Sequence, residues 1–161
     1  MKPLQPVFAF PGFAIFGALI SGCAATYRQP TSTYQPLTVA IAASKVELLR
    51  RAKQALVIQG FQITSSDDSA GVISTAPRNF RITPDQADCG TTMGIDYLKD
   101  NRTDTKLGYG VLVSEGKVII TTTIEAQYKP GAVDQNITLS CVSRGTLEAD
   151  LLKRLQAPAG T

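Results

Sequence analysis

Three kinds of residue in this chain could do chemistry: three cysteines, a few closely spaced aspartates, and an unusual pair of glycines. A thiol is a nucleophile, a metal ligand or half of a disulfide according to its surroundings. Asp67-Asp68 and the pair Asp85 and Asp88 offer the carboxylates used in acid–base catalysis or calcium binding. Asp67-Asp68 sit in the run SSDDSAG, where Asp serves a turn by bonding nearby backbone. Asp85 and Asp88 lack further oxygen ligands at a defined spacing. Gly108-Tyr109-Gly110 has none of the flanks of a phosphate-binding loop, so a bulge or a close backbone approach is expected there. The chain contains no histidine. That removes Ser-His-Asp and Cys-His nucleophile systems, His-ligated zinc and an imidazole switch. No catalytic, cofactor-binding or metal-binding residue is assigned, and the expectation is a protein that is not an enzyme.

Cys23 closes a different kind of segment. No charged residue occurs between Lys2 and Arg28, and Val7 to Ala25 is almost wholly apolar. A short basic start, an apolar stretch and then small residues form the pattern of a secretory signal. The stretch ends in Ile20-Ser21-Gly22-Cys23, which resembles the lipobox of bacterial lipoproteins. Small Ser21 and Gly22 let an extended backbone enter a peptidase, and the Cys23 thiol accepts diacylglycerol. The resemblance implies a signal peptide over 1–22, lipid on Cys23, and acylation of the new amine by a fatty acid such as palmitate. Ala24 follows the cysteine where Asp would retain the protein at the inner membrane. The resemblance therefore implies an outer-membrane protein on the periplasmic face. The rival reading is a retained membrane-spanning helix, since the stretch approaches the roughly 20 residues a span needs. Pro11-Gly12 interrupts it.

With Cys23 set aside, Cys89 and Cys141 remain. An even remainder in an exported chain suggests a disulfide. The alternatives are two buried thiols or a redox pair, and no C-x-x-C spacing supports the latter.

These residues need a scaffold. Charged residues make up 18% of the chain and hydrophobic ones 43%, which argues against disorder. A net charge of +3 is too small for a nucleic-acid surface, and no nucleic-acid partner is expected. Residues 23–37, rich in Thr, Ser, Gln and Pro, read as the lipidated cysteine and a polar tether. Residues 38–156 read as one domain and 157–161 as a tail. Leu37 to Ile41 makes a short strand. Ser44 and Glu47 form a capping box, each satisfying a free backbone amide. Val46, Leu49, Ala52, Leu56 and Val57 then recur at helical spacing until Gly60. Lys45, Arg50, Arg51 and Lys53 make the outer surface basic, read as a solvated face or one drawn to anionic lipid, and Glu47 can pair with Arg51. Phe61 to Thr64 and Val72 to Thr75 form a hairpin, and Thr91 to Leu98 reads as a further strand.

The strongest sheet signal runs from Lys106 to Ser143. Leu107, Tyr109, Val111 and Val113 share one parity. After a turn at Ser114 to Lys117, Val118, Ile120, Thr122, Ile124, Ala126 and Tyr128 share another mostly apolar face. Ile137, Leu139 and Cys141 return on one parity, so Cys141 is expected to point toward the core. Leu147, Leu151 and Leu155 define a last helix that ends before Pro158. The expected fold is α+β, an antiparallel four- to five-stranded sheet packed against two helices on one face.

That order of elements is similar to the helix-grip domains of small bacterial lipoproteins. The residues that carry it are Gln59-Gly60-Phe61, Ala70-Gly71-Val72-Ile73, and Cys141 to Glu148. The accessory lipoprotein C of the outer-membrane β-barrel assembly machinery is built from such domains, whereas this chain holds one. The resemblance implies a helix-grip-like architecture in the bacterial envelope. The expected function is a non-catalytic lipoprotein, held at the membrane through Cys23, that binds an envelope protein through a sheet edge or groove. The alternative is a small apolar ligand or lipid in a groove lined by Leu107, Tyr109, Ile120 and Ile124.

Overall fold

Two twelve-residue strands, β9 (Thr103–Ser114) and β10 (Lys117–Tyr128), form the spine of the molecule. They pair along their whole length, from Thr103 opposite Tyr128 to Ser114 opposite Lys117. At about 3.4 Å per residue, each strand is roughly 40 Å long. In this computed structural model the described residues are 27–92, 94–129, 131 and 136–157.

The remaining elements are β1 (Tyr27–Arg28), β2 (Leu37–Ala40), α1 (Lys45–Ile58), β3 (Ile63–Asp67), β4 (Val72–Thr75) and β5 (Arg78–Asn79). Then follow β6 (Ala87–Asp88), β7 (Thr91–Thr92), β8 (Ile95–Asp96), a 3-10 turn at Tyr97–Lys99, β11 (Ile137–Ser143) and α2 (Thr146–Gln156). The order across the main sheet is β3-β4-β9-β10-β11-β6, with β2 added to β10 and β5 to β9. All its pairs are antiparallel.

The fold is therefore α+β with two helices, but the main sheet has eight strands rather than four or five. The extra strands are short pieces that share an edge. β4 and β5 lie end to end along β9, split by Ala76-Pro77, where Pro77 cannot donate a ladder bond. β2 and β11 likewise share the far edge of β10. Thr91 to Leu98, expected as one strand, is instead the tight β7–β8 hairpin followed by the 3-10 turn. Gly94 sits between them at φ +78°. With β1, this hairpin forms a separate three-stranded ribbon.

Both helices cover the face formed by Leu107, Tyr109, Val111, Val113, Val118, Ile120 and Ile124. In α2, Leu147, Leu151 and Leu155 are buried as expected. At roughly 1.5–3 kcal/mol for each fully buried leucine, this stripe is what holds the helix on the sheet. In α1 the buried stripe is Leu48, Leu49, Ala52, Ala55 and Leu56. Val46 and Val57, expected inside, are exposed. The leucine-rich stripe has the larger apolar area and turns the helix so that both valines face out.

The capping box is only half made. Ser44 Oγ accepts from the Glu47 amide at 3.3 Å, but the Glu47 carboxylate turns to Arg50 and Arg51, both at 2.7 Å. Those two guanidinium groups hold its pKa down at about 2. Arg51 also donates to the Leu155 carbonyl at 3.3 Å, placing a cation at the negative end of α2. Helix α1 ends as read: Gly60 at φ +78° lets its amide reach Val57 and that of Phe61 reach Leu56.

Candidate interaction surface

The sheet face opposite the helices is built from the alternate residues of the same strands. Near the β9–β10 turn, Asp67, Val72, Leu112, Ile119 and Thr38 lie side by side across five strands. Val72, Leu112 and Ile119 make an apolar row within it, and Leu112 is 42% exposed. The next row is Ser65, Ser74, Gly110 and Thr121. Further along, Asn79, Lys106, Glu125 and Ser140 form a charged row, with Lys106 directly opposite Glu125. A shallow hollow of about 190 Å³ opens there between Asp104, Lys106, Glu125 and Thr138. A small apolar centre is thus rimmed by hydroxyl and charged groups. Chemically it offers desolvation at Leu112 and hydrogen bonds around it.

The edge strand β3 pairs only with β4 among the described strands, and a bulge between Ile63 and Ser65 disrupts it. Such a bulge discourages pairing with another chain at that edge.

Beside this face the sheet has a gap. β2 leaves β10 after Ile120 and β11 joins it at Ile124, so Thr121–Thr123 lack a strand partner on that side. Tyr34, 38% exposed, lies beside this stretch, with its hydroxyl near the Thr121 side chain and the Thr122 backbone. Burial nevertheless raises its pKa above that of a free phenol. On the inner side, Thr122 donates to Glu148 Oε1 at 2.5 Å and Ser143 donates to Oε2 at 2.7 Å. The Gly145 amide in turn donates to Ser143 Oγ at 3.0 Å. Glu148 is fully buried in the third residue of α2, where a negative charge complements the helix dipole. A cleft of about 440 Å³ opens outside this cluster, between residues 32–37 and Ser143-Arg144-Gly145.

Residues 27–36, expected as a tether, lie along the domain as a strap. Asp88 Oδ2 accepts from the Thr31 amide at 3.0 Å, the Thr31 hydroxyl at 3.2 Å and the Ser32 hydroxyl at 3.4 Å. Asp88 Oδ1 accepts from the Gly90 amide at 2.9 Å. Burial works to raise the Asp88 pKa, but these donors outweigh it and hold the carboxyl below its usual value. Tyr27 donates to the Cys89 carbonyl at 3.2 Å.

The cysteines left over from the amino-terminal pattern are joined: Cys89–Cys141 is a disulfide spanning 52 residues. It ties the β6 segment to β11 beside the strap. Cys23 lies outside the described residues, as does the Val7–Ala25 stretch. Among the described residues no helix is long and apolar enough to cross a membrane.

The other traced residues have structural surroundings. Asp67 accepts from Ser69 and Ala70 in its turn, which lowers its pKa, and Asp68 pairs with Lys53 to the same effect. Asp85 is exposed in the turn before β6, and Asp88 is engaged by the strap. Among the described residues no three acidic or cysteine side chains gather as a metal site would require. A Cβ on Gly110 would lie 2.5 Å from Thr121 Oγ1, so Gly110 marks a close approach, whereas a Cβ on Gly108 would meet Pro77 at an ordinary 3.6 Å. Leu107, Tyr109, Ile120 and Ile124 are buried in the continuous core. Burial also pushes the Tyr109 phenol well up, with the Glu148 charge adding to it.

Glu148 carries a role that the sequence did not disclose. For Glu148 the available signal was its place at the third position of a helix after glycine.

No protein-family model matches the chain, and no curated protein matches it. A solved structure of a TBP-like protein from Parabacteroides distasonis is similar, with a TM-score of 0.47 and 14% identity. The likeness covers 76% of this chain and 91% of that one. It carries no argument about what this chain does.

Proposed function

We propose that the protein is a non-catalytic lipoprotein of the bacterial envelope that binds another envelope protein through its open sheet face. Lipid on Cys23 would hold it at the outer membrane, facing the periplasm. The observation that carries the reading is the apolar row Val72–Leu112–Ile119 on a face that neither helix covers. The Cys89–Cys141 disulfide supports an oxidising compartment. Confinement to a membrane raises the effective concentration of neighbouring membrane proteins, so a contact surface of this modest size suffices. The likeness to helix-grip lipoprotein domains belongs to the same proposal, supported by the order of helix, antiparallel strands and helix.

The test is site-specific photocrosslinking from Leu112 in cells, with Val46 on α1 as the comparison position. A discrete product from Leu112 that is absent from Val46 is expected. The same products from both positions would sink the reading.

A further inference from the structure

We propose that the β1–β7–β8 ribbon and the adjoining 3-10 turn form the surface on which the domain rests against the lipid bilayer. The inference rests on the proposed acylation of Cys23. Tyr27 is already paired in the ribbon, opposite Thr92. Cys23 precedes it by four residues, which even fully extended reach only about 14 Å. No slack is available from the following residues. Thr31 and Ser32 are held by Asp88, and Leu37–Ala40 by β10. An acyl chain on Cys23 therefore brings the ribbon to the headgroups and leaves the far end of the domain away from them.

The ribbon suits that place. Tyr27, Thr92 and Ile95 form one cross-strand row, with Tyr27 42% and Ile95 62% exposed. Ile95, the most exposed member of the row, gains by entering the boundary between headgroups and acyl chains, while the Tyr27 hydroxyl stays bonded to the Cys89 carbonyl. An open hollow of about 550 Å³ lies beside Ile95, lined by Lys99, Asp100, Asn101 and Arg102. Arg28 and Lys99 are exposed cations suited to anionic headgroups. Asp96 caps the 3-10 turn and Asp100 pairs with Arg102, so the local charge is tempered. The acyl chains supply the affinity and the ribbon sets the orientation.

The turn between β9 and β10 lies at the opposite end. The ribbon adjoins the Thr103–Tyr128 end of the spine, where Tyr97 packs on Tyr128 with ring centres 5.2 Å apart. Val113 is ten residues along β9 from Thr103, or about 33 Å. The apolar row at Leu112 is thus held out from the bilayer, where a partner can reach it.

The chain contains no tryptophan, so Ile95→Trp and Val46→Trp each install a single reporter. Val46 is exposed near the far end, where the neighbouring Lys45 bonds Ser69 and Gly71 bonds Val113. Both positions are exposed, so neither change disturbs the core. The acylated full chain is placed in phosphatidylethanolamine–phosphatidylglycerol vesicles, with and without brominated acyl chains. Loss of emission on bromination is expected for Ile95→Trp and not for Val46→Trp. Unchanged emission from both, with an intact mass showing acylated Cys23, overturns the docking surface and leaves the anchor standing. Quenching of both overturns the orientation. A mass showing unacylated Cys23 in cell-derived protein overturns the anchor itself, and the inference with it.

Discussion

Asp88 accepts a hydrogen bond from the backbone amide of Thr31 at 3.0 Å, across 57 residues of sequence. That bond converts a polar stretch into a strap running from the ribbon past Asp88 and Tyr34 to the β9–β10 turn. Asp88 adjoins Cys89, so the strap is held one residue from the disulfide.

The strap should release in acid. The folded Asp88 pKa lies below its unfolded value, so its contribution is fully present above about pH 4 and is lost as pH falls through the lower folded value. Asp88→Asn should shift the Thr31 amide resonance at neutral pH toward its wild-type acid position. An unchanged Thr31 resonance in the variant would remove Asp88 from this role.

Glu148→Ala should destabilise the domain by about 1–3 kcal/mol, because the hydroxyls of Thr122 and Ser143 lose their buried acceptor. Glu148→Gln should cost less, since a hydroxyl can turn to accept from the new amide. Urea unfolding of the two variants gives the comparison.

Replacing Cys89 and Cys141 together by Ser should cost about 4 kcal/mol in the chain-entropy model for a loop of this length. The loss should appear locally as well. Hydrogen exchange is expected to rise across 27–36 and 87–97 before it rises in β9 and β10.

Gly71→Ala should cost at least ~2 kcal/mol, because a methyl is added at positive backbone φ. Gly71 has φ +77°, and a Cβ there would fall 2.0 Å from the Val113 carbonyl oxygen. The amide of Val113 bonds the Gly71 carbonyl at 2.8 Å, so relief requires breaking the β4–β9 junction. Thermal unfolding measures it.

Leu112→Asp should leave the unfolding free energy within about 0.5 kcal/mol of wild type, because the side chain is already half in water. Photocrosslinking from Thr121, in the next row of the same face, should lose its partner product in that background. Retention of the product would place recognition elsewhere.

Much of the architecture was readable because its signals are local and periodic. The parity of β9 and β10, the stop at Gly60 and the Leu147–Leu151–Leu155 stripe each need only a few neighbouring residues to declare themselves. Where two stripes compete, as in α1, the pattern alone misassigned Val46 and Val57, since burial depends on what the helix meets.

What the sequence determined by itself was therefore the two helices, the central strands and the lack of histidine chemistry. Tertiary structure decided which short segments join the sheet, where Glu148 finds Thr122, and how Asp88 captures residues 27–36. The physical reason is range. Periodicity and capping act within one turn or one strand, whereas a buried carboxylate or a docked strap depends on donors brought together only when the chain closes on itself.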